Sequence, residues 1–460
     1  MTTTNPLSFK NINRLAVPAL LAGIAEPILS ATDAAVVGNV PDNATEVLAA
    51  VGIVGSFLSA LIWILGQTRS ALQAIIAQYY GADKIDEIST LPAQAIYFNI
   101  LLSIVILVTT LPFIEAIFSL YNASGLILDY CVQYYSIRVW GFPLTLFTFA
   151  VFGIFRGLQN TFWPMVVAII GAGVNILLDF ILVYGIEGYI PAMQIEGAAY
   201  ASLGAQALMA VLSLILVLIK TDVSLKLLFP IHPELWRLVG MALNLFVRTI
   251  ALNLALYLAN SFATDYGASY IAAQTILINI WLFSAFFIDG YAAAGNILAG
   301  RFLGAKDYTS LWELSKKLSK YSLIIAGGLM LISAILYEPI GLIFSKEPEV
   351  IARFTALFFV VILMQPLNAL AFIFDGIFKG MGEMKYLRNV LMAATFLGFV
   401  PAIFIGDYFG LKLYAVWIAF DAVVLFVVFR FLFRKLRSKM AEVEARKQAR
   451  WDAGIHHESE

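Results

Sequence analysis

The sequence predicts an all-α polytopic membrane protein, with twelve transmembrane helices arranged as two pseudo-twofold-related six-helix bundles. Three observations carry that expectation: an apolar composition, twelve apolar runs of spanning length, and a second half that repeats the first. The 460 residues are 61% hydrophobic and only 13% charged, with a mean hydropathy of +0.87. A water-soluble domain carries roughly 25% charged residues, so this chain lacks the polar surface to stay dissolved. Its net charge of -1 gives no reason to expect a nucleic-acid partner. Cys131 is the single cysteine, which excludes an intramolecular disulfide framework and any multi-cysteine metal site.

A membrane helix needs about 20 apolar residues. Runs of that kind cover approximately 14–37, 47–76, 93–118, 128–155, 162–184, 195–219, 236–262, 270–299, 319–343, 350–378, 387–405 and 411–434. The segment before them, Met1 to Lys10, is short and polar, with no apolar core ending in a cleavage site. It reads as a cytoplasmic lead-in to the first span. Residues 1–220 are expected to form an N-lobe and 236–434 a C-lobe. The stretch 221–235, polar and carrying Pro230 and Pro233, reads as a cytoplasmic linker between them. The charged tail, 435–460, is expected along the cytoplasmic surface, in contact with membrane lipid.

Lysine and arginine set the orientation. With the N-terminus inside, only Lys346, Arg353 and Lys412 of the 29 basic residues fall outside, while Arg69, Arg138 and Arg248 lie within spans. Both termini are therefore expected in the cytoplasm, with the chain in the cell (inner) membrane.

The repeat has a constant offset of 223 residues. Phe155-Arg156-Gly157 falls on Phe378-Lys379-Gly380, Pro143 on Pro366, Ala49-Ala50 on Ala272-Ala273, and Tyr80-Gly81-Ala82 on Leu303-Gly304-Ala305. A unit this long is no solenoid repeat. Six spans per unit is an even number, so both halves enter from the same side and their pseudo-twofold axis runs along the membrane normal, as in parallel-repeat transporters.

An ionisable side chain near the bilayer centre costs at least about 2.5–3.5 kcal/mol and needs a reason. Asp33 lies 19 residues into the first span and Asp179 lies 17 into the fifth. Both spans run outward, so at about 1.5 Å per residue the two acids differ in depth by roughly 3 Å. Two carboxylates at one level can share a proton or hold a monovalent cation, and Asn175, one turn before Asp179, shares its face. The alternative is a pair of structural acids hydrogen-bonded to helix ends. Asp33 falls on Leu256 in the repeat, so it is no part of the shared scaffold. Glu26 sits two turns before Asp33 and precedes Pro27, whose missing N–H permits a bend. The pair reads as a hinge or gate, or else Glu26 neutralises Arg69 or Arg138. In the second half Asp289 and Asp375 fall on Gly66 and Phe152. Either acid can pair with Arg248 or contribute to a substrate site. No HExxH, GxSxG or GxxxxGK[ST] occurs, and the three histidines lie in the linker and tail. The usual signatures of metalloprotease, serine-hydrolase and direct ATP chemistry are thus missing.

Several stretches resemble the multidrug and toxic compound extrusion (MATE) family. Leu29 to Gly38 (LSATDAAVVG) resembles its first-helix motif. Phe155-Arg156-Gly157-Leu158-Gln159-Asn160 with Pro164, and Asn175-Ile176-Leu177-Leu178-Asp179, resemble its fourth-to-fifth helix segment. Gly197 to Ser202 resembles the start of its sixth helix. Arg248-Thr249, Asp289-Gly290 and Asp375-Gly376 are most similar to the DinF-type branch. The resemblance implies two lobes arranged as a V, alternating access, and efflux of amphipathic, often cationic organic compounds. A monomer is expected because two fused bundles already form a complete transporter. Export would be in exchange for H+ (or Na+), without a cofactor or a bound metal. It implies cation coupling at Asp33, Asn175 and Asp179, with Ser202 near a family threonine that supports that site. Arg248 and Thr249 occupy the stretch where a second acid stands in NorM-type members, which argues against a sodium site there. The rival readings are a flippase or exporter of a lipid-like or endogenous substrate, a membrane-embedded enzyme, and a passive channel.

Overall fold

In an apolar solvent every backbone N–H and C=O has to be satisfied within the chain, and helices do this segment by segment. The computed structural model describes residues 7–41, 43–344 and 346–420, apart from the side chains of residues 25–27, 29–31, 34 and 343. The first half contains α1 (Phe9–Val37), α2 (Ala44–Leu65), α3 (Gln67–Gly81), α4 (Leu91–Thr110), α5 (Ile114–Ser119), α6 (Gly125–Arg138), α7 (Gly141–Gly157), α8 (Phe162–Tyr184) and α9 (Gln194–Lys220). The second contains α10 (Pro233–Asp265), α11 (Ala268–Gly304), α12 (Tyr308–Ile335), α13 (Tyr337–Phe344), α14 (Pro348–Leu363), α15 (Gln365–Gly380), α16 (Met384–Ala393), α17 (Val400–Tyr408) and α18 (Leu413–Trp417). A π-helical stretch, Ala394–Phe399, joins α16 to α17.

Among the described residues eight helical stretches are long and apolar enough to cross a membrane, or ten if each of two bent pairs is one span. Of the two further spans expected, one coincides with α1, and the other, 411–434, lies mostly outside the described residues. The tail at 435–460 lies wholly outside them. Leu101, Ile104, Val105 and Val108 stand exposed along α4, as befits a helix whose outer face meets lipid tails.

The repeat seen in the sequence has a geometric counterpart. α6 and α7 meet at a bend of 48°, and α14 and α15, one offset later, meet at 47°. Pro143 and Pro366 explain both: each removes the i+4 donor of the carbonyl four residues earlier, just where the helix breaks, and the Val139 carbonyl accepts instead from Phe142 N–H at 3.1 Å. α7 packs on α3 through two glycines. A Cβ at Gly153 would lie 3.0 Å from the Arg69 carbonyl oxygen, and one at Gly157 would lie 2.6 Å from Ile76 Cβ. α15 packs on α11 in the same register, with Gly376 against the Ala292 carbonyl oxygen and Gly380 against that of Asn296, both at 2.2 Å from the would-be Cβ. Both pairs of glycines are four apart, the small-xxx-small spacing that lets membrane helices approach backbone to backbone.

The two halves differ where size can be exchanged. Phe118 and Cys131 share one buried core with Val47, Leu58 and Tyr135. At the equivalent positions stand Gly341 and Phe354, and a Cβ on Gly341 would lie 2.9 Å from the Phe354 ring. A large residue beside a small one has become small beside large, which conserves volume.

The chain divides into two compact units, Arg14–Phe246 and Met1–Asn13 with Val247–Glu460. The expected linker and the start of α10 thus group with the first unit, because polar side chains fasten them there. Gln94 donates to the carbonyls of Leu228 and Pro230 at 2.8 and 3.2 Å and accepts from His232 N–H at 2.8 Å. Arg237 donates to Gln78 Oε1 at 2.7 Å. The start of the chain groups with the second unit: Lys317 donates to the Leu7 carbonyl at 3.1 Å and Tyr291 to Asn13 at 2.7 Å. Phe9 packs edge-on to Tyr321, 5.0 Å between centroids.

The repeat-equivalent glycines make a paired prediction. Gly376→Ala drives a methyl into a carbonyl and destabilises by about 1–3 kcal/mol. Gly153→Ala meets its carbonyl at a wider 3.0 Å, and a gain of about 1 kcal/mol in helix propensity offsets the crowding. Thermal unfolding in one detergent should show a lowered Tm for Gly376→Ala and a near-native Tm for Gly153→Ala.

Candidate functional site

Glycine also builds the ionisable cluster of the first unit. α8 and α9 approach closely where Gly171 meets Met209 and where Gly197 meets the Leu182 carbonyl, with would-be Cβ distances of 2.4 and 2.5 Å. That approach brings Asp179 and Asn175 of α8 beside Ser202 of α9. Tyr184 at the end of α8 donates to the Val36 carbonyl at 2.8 Å, which ties α8 to α1 just past Asp33.

The four residues singled out in the sequence come together. Ser202 Oγ donates to Asp33 Oδ2 at 3.2 Å and Asn175 Nδ2 to Asp179 Oδ2 at 3.3 Å. The two carboxyl groups are within hydrogen-bonding reach of each other. Asp179 is fully buried and Asp33 is 7% exposed. Asp33 Oδ1 and Asp179 Oδ1 have no hydrogen-bond partner among the described residues. Acid groups this close share a proton or hold a cation between them, and the free oxygens are hard donors suited to either.

α6 adds two groups whose place here the sequence reading had missed. The Arg138 guanidinium lies 5.9 Å from the centroid of the Tyr134 ring and is close enough to act electrostatically on Asp179. Its Nε and Nη1 are buried without a hydrogen-bond partner among the described residues. With both acids ionised the cluster carries one net negative charge, and one bound proton or monovalent cation makes it neutral. Arg138 is visible in the sequence as an intramembrane charge; its distance from the acids is not.

Glu26 and Pro27 lie within α1, which is helical without interruption from Phe9 to Val37. Their side chains are outside the described residues, and so is the hinge expected of them. Arg69 sits 4.9 Å over the Phe149 ring.

In the second unit the partner of Arg248 is Asp375, at 2.7 Å from Nη2 to Oδ1. Lys379, one turn further along α15, takes the other oxygen at 2.7 Å. Asp289 is exposed on α11, and among the described residues no ion pair reaches it, so the alternative match with Arg248 is not the one formed. The spacing of four between Asp375 and Lys379 is the signal in the sequence that points to this pair. Among the described residues no group of three or more histidine, cysteine, aspartate or glutamate side chains could hold a metal ion.

The comparisons agree with this architecture. The MatE family profile matches residues 18–181 and 245–404, one stretch in each half. Protein DETOXIFICATION 42 of Arabidopsis thaliana is 27% identical over 289 residues, covering 61% of this chain and 55% of the relative; the match thus spans about half that protein's length. DNA damage-inducible protein F of Escherichia coli (strain K12) is 23% identical, over 90% of this chain and 88% of its own. A crystal structure of MATE in the bent conformation superposes with a TM-score of 0.87 at 20% identity, covering 95% of this chain and 96% of that one. At that identity the likeness shows a shared fold. With both halves matched by the profile and the helical frame shared end to end, the chain belongs to the MatE family.

Proposed function

We propose that the protein is a secondary active efflux antiporter, a transporter rather than an enzyme, exporting small amphipathic organic compounds in exchange for H+ (or Na+). The observation that carries this reading is the buried acid pair of the first unit, with two oxygens unpartnered among the described residues and Arg138 alongside. A proton or sodium ion arriving from outside neutralises the cluster of Asp33, Asp179 and Arg138, held in place by Asn175 and Ser202. Neutralisation changes the packing of α1, with Glu26 and Pro27 as the hinge, weakens substrate binding and favours release to the exterior. Return to the inward-facing state gives the ion up to the cytoplasm. Coupling requires ion and substrate to differ in affinity between the two states; tight binding alone shifts nothing. Export of cationic compounds is the family expectation. The basic excess around Asp375 favours a second reading, in which the substrate is an acidic, lipid-like or endogenous compound.

The chain works as a monomer, its N-lobe (1–220) and C-lobe (236–434) joined by the linker 221–235, in the cell (inner) membrane with both termini cytoplasmic. The bias of lysine and arginine supports that orientation.

Two outcomes test these proposals. In liposomes loaded with a fluorescent organic compound, wild type moves it under an imposed pH gradient or sodium gradient. Asp33→Asn folds and binds the compound but loses gradient-driven movement altogether, and full export by that variant would sink the mechanism. For orientation, Cys131→Ser supplies a cysteine-free background. A cysteine at position 84 should then be protected from a membrane-impermeant maleimide in whole cells, and one at position 412 labelled. The reverse pattern would invert the topology.

A further inference from the structure

We propose that Arg248, Asp375 and Lys379 of the second unit form a binding site for the acidic group, carboxylate or phosphate, of an amphipathic organic anion. The proposal rests on the efflux reading and names a substrate class for it.

Charge is the first argument. One carboxylate faces two cations, each at 2.7 Å, so among the described residues the ion pairs of the cluster leave one positive charge unmatched. All three side chains are largely buried, 11–17% exposed. An uncompensated charge there is costly, and an anion relieves that cost.

Geometry is the second. Arg248 holds Oδ1 and Lys379 holds Oδ2, so Asp375 props the two cations on either side of itself instead of neutralising one and releasing the other. A guanidinium carries five N–H donors and an ammonium three. Asp375 takes one from each. An acidic group with two or more oxygens can accept from both cations at once, through charge-assisted hydrogen bonds, which are stronger than neutral ones.

The repeat supplies the third. Lys379 falls on Arg156 and belongs to the shared scaffold, but Arg248 falls on Ala25 and Asp375 on Phe152. The first bundle is built without either residue, so the cluster is not a requirement of the architecture. A polar neighbour on the same helix face, Asn368, lies two turns before Asp375. It is 3% exposed, and neither of its amide atoms has a hydrogen-bond partner among the described residues.

Two probes of the same shape and opposite sign test the site: 1-pyrenebutyrate and 4-(1-pyrenyl)butyltrimethylammonium. Their binding to the full-length protein in phosphatidylcholine nanodiscs is read by fluorescence anisotropy. Wild type should bind the carboxylate about tenfold more tightly than the ammonium, the scale of a charged hydrogen bond. Lys379→Gln keeps the Arg248–Asp375 pair and cancels the excess charge. It should abolish the preference, and Lys379→Arg should restore it. Equal binding of the two probes by wild type, or an unchanged preference in Lys379→Gln, would overturn the proposal. Phosphatidylglycerol added to the discs distinguishes the sources: displacement of the probe identifies a lipid headgroup as the acid, and retention a soluble compound. Because binding here needs no gradient, the absence of a preference in wild type counts against the site. Intact binding without gradient-driven movement in liposomes counts against the efflux reading instead.

Discussion

The close approach of α7 to α3 and of α15 to α11 is the constraint on which the rest of the structure depends. Lipid tails are as apolar as leucine, so burying leucine against leucine gains little in a membrane, and helices are held by van der Waals contact and interhelical hydrogen bonds. Glycine makes such contact close. Gly153, Gly157, Gly376 and Gly380 bring backbones into touch at equivalent places in the two units. The bends after α6 and α14, set by Pro143 and Pro366, fall at equivalent places too. Side-chain hydrogen bonds such as Thr68 to Asn99 at 2.6 Å and Gln133 to Glu196 at 2.6 Å fasten the remaining helices. Each adds only about 0.6 kcal/mol on average, so the framework is made mostly by shape.

On that framework the two units carry opposite electrostatics. The first holds two acids, shut off from solvent, with one guanidinium beside them. The second holds one acid between two bases. Neither arrangement is repeated at the equivalent positions of the other unit, where Leu256, Ala402, Ala25 and Phe152 stand. A duplicated scaffold has therefore been given two chemistries.

Much of this was legible in the sequence because its signals are strong where physics is strict. Spanning runs, the repeat and the unrepeated acids all show in residue types, since a bilayer penalises exceptions heavily. The shared level of Asp33 and Asp179 followed from helix rise alone. What stayed hidden depends on rotation about helix axes and on side-chain reach. Arg138 and Tyr134 face the acids from α6, and nothing in their spacing to Asp33 or Asp179 reveals it. The choice between Asp289 and Asp375 as the partner of Arg248 required knowing which face of α11 and of α15 meets α10. The grouping of the linker with the first unit rests on Gln78 and Gln94, two neutral residues that no charge or hydropathy pattern marks.

The segment before Arg14 has a consequence for biogenesis. Its contacts are with Tyr291 and Lys317, separated from it by 278 and 310 residues of chain. At about 5–20 residues per second of synthesis, those partners are made roughly 15–60 s after the segment itself. The first unit can pack its own glycine seams in that interval, while its leading end waits for a docking place that the ribosome has not yet produced. Closure of the amino-terminal segment onto α11 and α12 is thus a late event in assembly, and a nascent chain arrested before α11 carries that end undocked.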